Sequence, residues 1–380
     1  MDFRLTEDQL LVQQSARDFS REVLAPRAAA LDREGTFPLE NFRAAAEQGF
    51  AGFLVPEELG GSAVGNTGMA LAMIEFNRAC ASTGVTLSVH NSLCCGPLLA
   101  WGTEAQKKRW LPRLASGELL GAYSLSEAAS GSDAAALRCT AVRDGDHFVL
   151  QGTKLWVTNG SHADVLVVFA RTNRSVSNAK GITAFVVEKG MKGLSVGKKE
   201  EKLGIRASST TELVFDACRV PAENVLGEVD GGFRVAMHTL DGGRIGIACQ
   251  ALGISEACLE ASVKYAKERI QFGKPIAEFE AIQFKIAEMA TRIDSSRLLI
   301  LRAAWLKDRG EPHTVEASMA KLEASRSANW CARQAVQVHG GAGYMTDFPV
   351  ERYFRDARIT EIYEGTTEIQ KVVVARHFLR

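Results

Sequence analysis

The chain changes texture twice, and those two changes limit its architecture more than any other feature. Up to about residue 119, apolar side chains recur at helical steps, as at Leu11, Ala16, Phe19 and Val23 behind the capping box Thr6-x-x-Gln9. A turn with Pro56 and Gly60-Gly61 interrupts this region, and further helices are predicted at Met69–Ile74, from Ser88 and from Ala105 to Leu114. From 120 to 227 the apolar residues gather instead into short β-branched runs at 148–150, 165–170, 183–187 and 213–215. Asp144-Gly145 between two such runs predicts a type I′ hairpin, and Asn159-Gly160 marks another turn. Helical spacing returns after Gly231-Gly232 in long segments at 233–268, 279–307 and 315–338, the second with Ile282, Ile286, Met289 and Ile293 on one stripe. The expected fold is therefore α+β and multidomain: an N-terminal α-helical domain (1–119), a middle antiparallel β-barrel or sandwich (120–227) and a C-terminal antiparallel helix bundle (228–380).

Charge removes several functions. Lys plus Arg number 45 and Asp plus Glu number 45, so the net charge is zero and neither nucleic acid nor an anionic membrane is an expected partner. No apolar run reaches bilayer length. The eight cysteines are scattered without a Cys-x-x-Cys, so Cys94-Cys95 is read as a reduced pair in a reducing compartment, and the seven histidines show no metal spacing. His90 reads as a hydrogen-bonded histidine of core or surface. The start, Met1-Asp2-Phe3-Arg4, has neither a signal-peptide core nor an Arg-rich transit character. The expected location is cytoplasmic in a bacterium, or the mitochondrial matrix for a processed eukaryotic chain.

Three stretches carry chemistry. Ile362-Tyr363-Glu364-Gly365-Thr366-Thr367-Glu368-Ile369-Gln370 puts a carboxylate on a tight turn beside an aromatic ring, and Thr367 with Gln370 predicts a capping box for the helix that follows. The 122–133 stretch, with Tyr123, Leu125, Ser126, Gly131 and Ser132, is rich in hydroxyls and small residues that suit close approach to a flat polar ligand. Lys154-Leu155-Trp156-Val157-Thr158-Asn159-Gly160 sets an aromatic face beside a hydroxyl. A Gly-x-Gly-x-x-Gly fingerprint and a P-loop are both absent. His339-Gly340-Gly341-Ala342-Gly343 looks like a lipase oxyanion loop, but it follows a helix and has no Gly-x-Ser-x-Gly partner.

Taken in order, these stretches resemble the acyl-CoA dehydrogenase family, along with Leu240-Asp241-Gly242-Gly243-Arg244-Ile245-Gly246, Arg269-Ile270-Gln271-Phe272-Gly273-Lys274-Pro275-Ile276 and Gln337-Val338-His339-Gly340-Gly341. The likeness spans essentially the whole chain and implies FAD as cofactor. It makes Glu364 the base that removes the α-proton of an acyl-CoA, with the β-hydrogen leaving as hydride to give a trans-2-enoyl-CoA. It implies FAD contacts from Tyr123, Leu125, Ser126, Gly131, Ser132, Trp156, Val157, Thr158, Thr366 and Glu368. It implies that Arg269, Gln271, Phe272, Glu280, Gln337, Val338, Gly340 and Gly341 hold the FAD of a neighbouring subunit in a homotetramer, a dimer of dimers. Substrate contacts fall to Ser132, Asp241, Arg244, Tyr363, Glu364 and Gly365, and electrons pass to an electron-transferring flavoprotein.

Within the family, a base on the bundle helix is closed off by Gly243, and the dicarboxylate-binding arginine of glutaryl-type members is replaced by Gly84. The resemblance is to butyryl-type, short-chain members, with isobutyryl- or 2-methylbutyryl-type members as the alternative. An oxygen-reducing oxidase and a flavin-binding, DNA-protective relative are competing classes; the neutral charge disfavours the latter. Two departures stand out. Glu280 replaces a usual glutamine, and Glu127-Ala128-Ala129-Ser130 replaces a proline- and glycine-containing run that stiffens the loop.

Overall fold

A computed structural model describes residues 4–176 and 179–379; the expectation about Met1-Asp2-Phe3 lies outside them. The first helix, Glu7–Phe19, opens on the Thr6–Gln9 capping box. The helix Gly65–Ala79 is buried at every position from Thr67 to Asn77, so it is a core helix rather than an amphipathic one. No separate helix starts at Ser88. Ala81–Ser88 runs on into a π-helical segment, Val89–Cys95. That widened turn aims His90 and Asn91 at backbone. His90 Nδ1 accepts from the Gly121 amide at 3.0 Å, which puts the ring proton on Nε2, 3.1 Å from the carbonyls of Ala51 and Leu114. Burial lowers its pKa to about 4, so His90 is a neutral, satisfied core residue.

Among the described residues, eight strands form the middle sheet: β1 Gly121–Ser124, β2 Thr140–Asp144, β3 His147–Thr158, β4 Val165–Arg171, β5 Ile182–Glu188, β6 Leu194–Lys199, β7 Thr210–Pro221 and β8 Val225–Leu226. Their order is β6-β7-β3-β2-β4-β5-β8, with β1 added against β4. Pairing is antiparallel except where β1 and one residue pair of β2 lie parallel to β4. The β2–β3 turn is centred on Gly145-Asp146 rather than Asp144-Gly145, because Asp144 pairs with His147. Only Gly145 has positive φ (61°), so the turn has the type II′ pattern, with glycine first, instead of type I′.

Strand β4 is buried on both faces and shows how the sheet joins the helices. Val165, Val167 and Phe169 pack with Leu98, Trp110, Leu111 and Leu114 of the first helical region and with Val235 and Ala236. Leu166, Val168 and Ala170, one residue out of phase, pack with Phe148, Leu150, Leu213 and Phe215 inside the β-domain.

The C-terminal region is built on Gly232–Glu268, Glu280–Asp308 and Thr314–His339, followed by Val350–Ala357 and Thr367–Phe378. Its core is continuous with that of the N-terminal helices, from Ala16 and Phe19 through Met73 and Phe76 to Leu252, Met289 and Ala328. Gly253 allows a close crossing: a Cβ there would lie 2.4 Å from the Ile74 carbonyl oxygen. No described helix is long and apolar enough to cross a membrane.

Candidate active site

The catalytic-type turn lies between a 3-10 segment, Arg358–Glu361, and the helix Thr367–Phe378. Glu364 has φ 52° and Gly365 has φ 95°. The glycine adopts this conformation freely, whereas a glutamate held there stores strain of about 1–3 kcal/mol and persists only where its surroundings over-determine it. They do so through the turn's carbonyls. Lys321 Nζ donates to Gly365 O at 2.6 Å and to Thr360 O at 3.1 Å. Ser325 Oγ donates to Thr360 O at 2.8 Å, and Gln370 Nε2 to Gly365 O at 2.9 Å. That last bond is why the predicted Thr367–Gln370 box does not form. The cap is Thr366, whose hydroxyl accepts from the Ile369 amide, and Gln370 turns back, buried, to the turn.

The Glu364 side chain rests against the Gly232–Glu268 helix at Gly243. A Cβ on Gly243 would stand 2.2 Å from Glu364 Oε2 and 2.9 Å from Leu93 Cδ2. Oε2 is buried and has no hydrogen-bond partner. Burial pushes the carboxyl up to about 8, with the Lys321 and Arg244 cations pulling the other way. Burial lowers Lys321 to about 8 against the opposing pull of Glu364. Arg244 is also buried, bonded to Asp241 at 2.5 Å, and its Nε is unpartnered. Asp241 in turn accepts from Thr314 Oγ at 2.6 Å.

Two phenols complete the cluster, both held well above their ordinary pKa by burial and by the Glu364 charge. The Tyr363 hydroxyl donates to Gln250 Oε1, while that of Tyr123 is buried without a partner. Tyr123 reaches this place from β1, its ring against Phe169.

A second group of expected residues lies along the β1 exit and the end of β3. Leu155 N donates to Ser126 O at 2.9 Å, locking the loop to the strand. Trp156 has φ 57°, at a register shift between Lys154 and Val157, and its side chain is 55% exposed. Gly131 and Ser132 are exposed, and a Cβ on Gly131 would meet nothing. Thr158 is half-buried, and Leu125 is buried. Val157 is buried in the β-domain core, so only its backbone is open to a ligand. Glu368 is exposed on the first turn of the last helix, its carboxyl held low by its own backbone amide and by Thr366.

The third expected group does not join the Glu364 cluster. Arg269, Gln271, Phe272, Glu280, Gln337, Gly340 and Gly341 are all exposed, Phe272 to 93%. The Gln271 side chain donates to its neighbour's carbonyl, Ile270 O. Val338 is packed with Ala266 and Ile276, so its side chain is closed to a ligand.

Lys321 and Gln250, which hold the turn and its tyrosine, are not among the expected residues, and Gln370, expected as a capping partner, holds the turn instead. Lys321 does leave a trace: it interrupts the stripe Ala317, Ala320, Ala324, Ala328, all buried, where a lysine needs buried acceptors.

Comparison with known proteins follows the same three-part division. The acyl-CoA dehydrogenase N-terminal, middle and C-terminal domain families match residues 6–118, 122–218 and 230–379. The mitochondrial short-chain specific acyl-CoA dehydrogenase of Mus musculus is 52% identical over 376 residues, 99% of this chain and 91% of that protein. The butyryl-CoA dehydrogenase structure from Megasphaera elsdenii superposes with TM-score 0.98 at 44% identity over all of both chains. A chain from a structure of the electron transferring flavoprotein of Acidaminococcus fermentans does so with TM-score 0.99 at 46% identity, again over both chains in full.

Proposed function

The chain belongs to the acyl-CoA dehydrogenase family, and we propose that it oxidises a short-chain acyl-CoA to the trans-2-enoyl-CoA with Glu364 as the base. It is an oxidoreductase acting on CH–CH bonds, and its cofactor is FAD. The chain's own features fit that group: the half-exposed Trp156 face, the unpartnered Tyr123 hydroxyl and the open space at Gly131, Gly340 and Gly341. Trp156, Thr158 and the 125–132 loop would hold the flavin half, with Thr366 and Glu368 at its edge. Arg269, Gln271, Phe272, Glu280 and Gln337, with the backbone of Val338, Gly340 and Gly341, would reach the FAD of the neighbouring subunit in a homotetramer. Phe272, Tyr344 and Ile270 support an assembly, because they are large apolar groups exposed by 93%, 82% and 59%.

The observation that carries the reading is the buried, unpartnered Oε2 of Glu364. An α-C–H is a very weak acid, and a carboxylate stripped of water and raised to about 8 is a stronger base than a solvated one. When bound, FAD supplies the two-electron acceptor for the hydride that leaves Cβ. Oε2 takes the α-proton. The Glu364 amide, on a turn that Gly365 leaves open, is assigned as a donor to the thioester carbonyl, where negative charge develops. Asp241 and Arg244 hold the acyl-CoA arm, and Ser132 and Tyr363 border the acyl group. Electrons then pass to an electron-transferring flavoprotein, a partner supported by the superposition with the Acidaminococcus fermentans chain.

Acyl length is tested by anaerobic flavin bleaching with straight and branched acyl-CoAs. The best rate is expected at about four carbons, since a pocket discriminates by ~1–3 kcal/mol per methylene. An optimum at eight or more carbons (about twice the expected length) overturns this assignment, and an isobutyryl optimum moves it to the branched class.

The pH dependence has a defined sign. Glu364 must be ionised to accept a proton, and its folded pKa is raised, so kcat/KM for flavin reduction should climb with pH through about 8 and level off above. A profile that is flat or falling across that window contradicts Glu364 as the base.

A further inference from the structure

We propose that the buried Lys154–Glu127 ion pair is a positioning device that locks the 125–139 loop onto the end of β3 and thereby pre-forms the FAD cradle. The proposal rests on the reading of Trp156 and the 125–132 loop as flavin-facing.

Lys154 is fully buried, and its Nζ donates to Glu127 Oε1 at 2.7 Å and to Leu125 O at 2.9 Å. Glu127 is nearly as buried and is used at both oxygens: Oε1 also accepts from the Cys139 amide at 3.0 Å, and Oε2 from the Arg138 amide at 2.6 Å. One carboxylate thus closes the loop on itself, and one ammonium ties that closure to β3. The attachment lies two residues before Trp156, on the near side of the register shift that gives Trp156 its left-handed backbone. Between the ends, the loop's internal bonds are few: the reciprocal Glu127–Ser130 pair, Ser130 Oγ to Asp133 O at 2.9 Å and Ala136 N to Asp133 O at 3.1 Å. Gly131 and Ser132, the exposed tip, are held at a distance by Glu127.

A buried ion pair of this kind adds little net stability, because the desolvation of both charges offsets their attraction. What it does supply is direction. The carboxylate can satisfy two amides and an ammonium only when the loop and strand stand in one relation. This also answers the departure at Ala128-Ala129-Ser130, which lacks a stiffening proline: the loop is anchored from outside, its first half by Lys154 through Glu127 and its second half also by Arg171, which donates to Ala135 O at 2.8 Å and to Leu137 O at 3.3 Å.

The test uses the full-length protein stripped of FAD. Lys154→Met and Glu127→Gln each leave a buried group unpaired, so both should lower the apo-protein's Tm and weaken FAD. Glu127→Met/Lys154→Met removes both charges. Its Tm should rise above that of Lys154→Met, which leaves a buried charge unpaired, yet stay below wild type because the Arg138 and Cys139 amides and the Leu125 carbonyl lose their partners, while its FAD Kd, read by flavin fluorescence, stays at least about tenfold weaker, since pre-organisation is lost. Amide hydrogen exchange across 128–139 should be faster in the double variant than in wild type. A double variant that binds FAD within about threefold of wild type, or whose loop amides exchange as slowly, overturns the proposal. The exchange result judges the pair by itself; a wild-type protein that takes up no FAD would instead count against the flavin-site reading.

Discussion

Glu364→Gln yields a folded, yellow protein that binds butyryl-CoA and fails to bleach its flavin. Glutamine has the same size, and the turn is held through backbone carbonyls by Lys321, Ser325 and Gln370, none of which needs the Glu364 side chain. The buried carboxyl is already raised to about 8 and so is largely protonated at neutral pH, which makes a neutral amide a small electrostatic change. The chemical change is total, because an amide cannot accept the α-proton. A positioned base contributes ~10²–10⁴-fold, and so weak a carbon acid should place the loss at the top of that range. No second carboxylate is at hand: Gly243 faces the carboxylate from the helix, and Glu368 is exposed and bonded to its own amide. Stopped-flow mixing with butyryl-CoA is the measurement. Bleaching within about tenfold of wild type removes Glu364 from the mechanism.

The reach of the sequence over this site follows from which properties are local. Local pattern locates β2–β5, β7, the long helices and the turn that bears Glu364, but not β1, β6 or β8, which are short or largely exposed. The alternation along β4 is likewise visible, though which phase meets helices and which meets sheet depends on packing. Apart from Gln370, the side chains that fix the Glu364 turn and its tyrosine are distant in sequence and have no motif of their own. Lys321 and Gln250 stand 44 and 113 residues along the chain from their partners Gly365 and Tyr363. Capping failed for a related reason: Thr366 and Thr367 are equally good caps as isolated residues, and the contest is decided by Gln370 finding the Gly365 carbonyl. Motif position also overstates side chains. Val157 and Val338 fall within motifs that face the cofactor by resemblance, yet their side chains are core, and only their backbones remain to serve.

Gly243→Ala should disable the same base from the opposite side while the fold persists. The new methyl would lie 2.2 Å from Oε2 of Glu364 and 2.9 Å from Leu93 Cδ2, far inside the ~3.5–4.0 Å of ordinary contact. The helix cannot retreat, because it is buried continuously from Gly242 to Cys258 and pressed against the Ile74 carbonyl at Gly253. The Glu364 backbone cannot retreat either, pinned as it is by Lys321 and Gln370. The carboxylate is the free end of a flexible side chain, so it swings away by about 1 Å or more, and a misplacement of that size costs ~10²-fold in rate. Alanine's better helix propensity offsets part of the crowding by about 1 kcal/mol, which keeps Tm near wild type. Two readouts separate this from general damage. FAD content should be unchanged, since nothing assigned to the cofactor touches Gly243. The apparent pKa of flavin reduction should fall below that of wild type, because a carboxylate driven out of the dry slot that raises it to about 8 regains water and ionises more readily. A Gly243→Ala protein that reduces its flavin at the wild-type rate and with the wild-type pH profile would mean that the Glu364 carboxylate does not react from its seat against this helix.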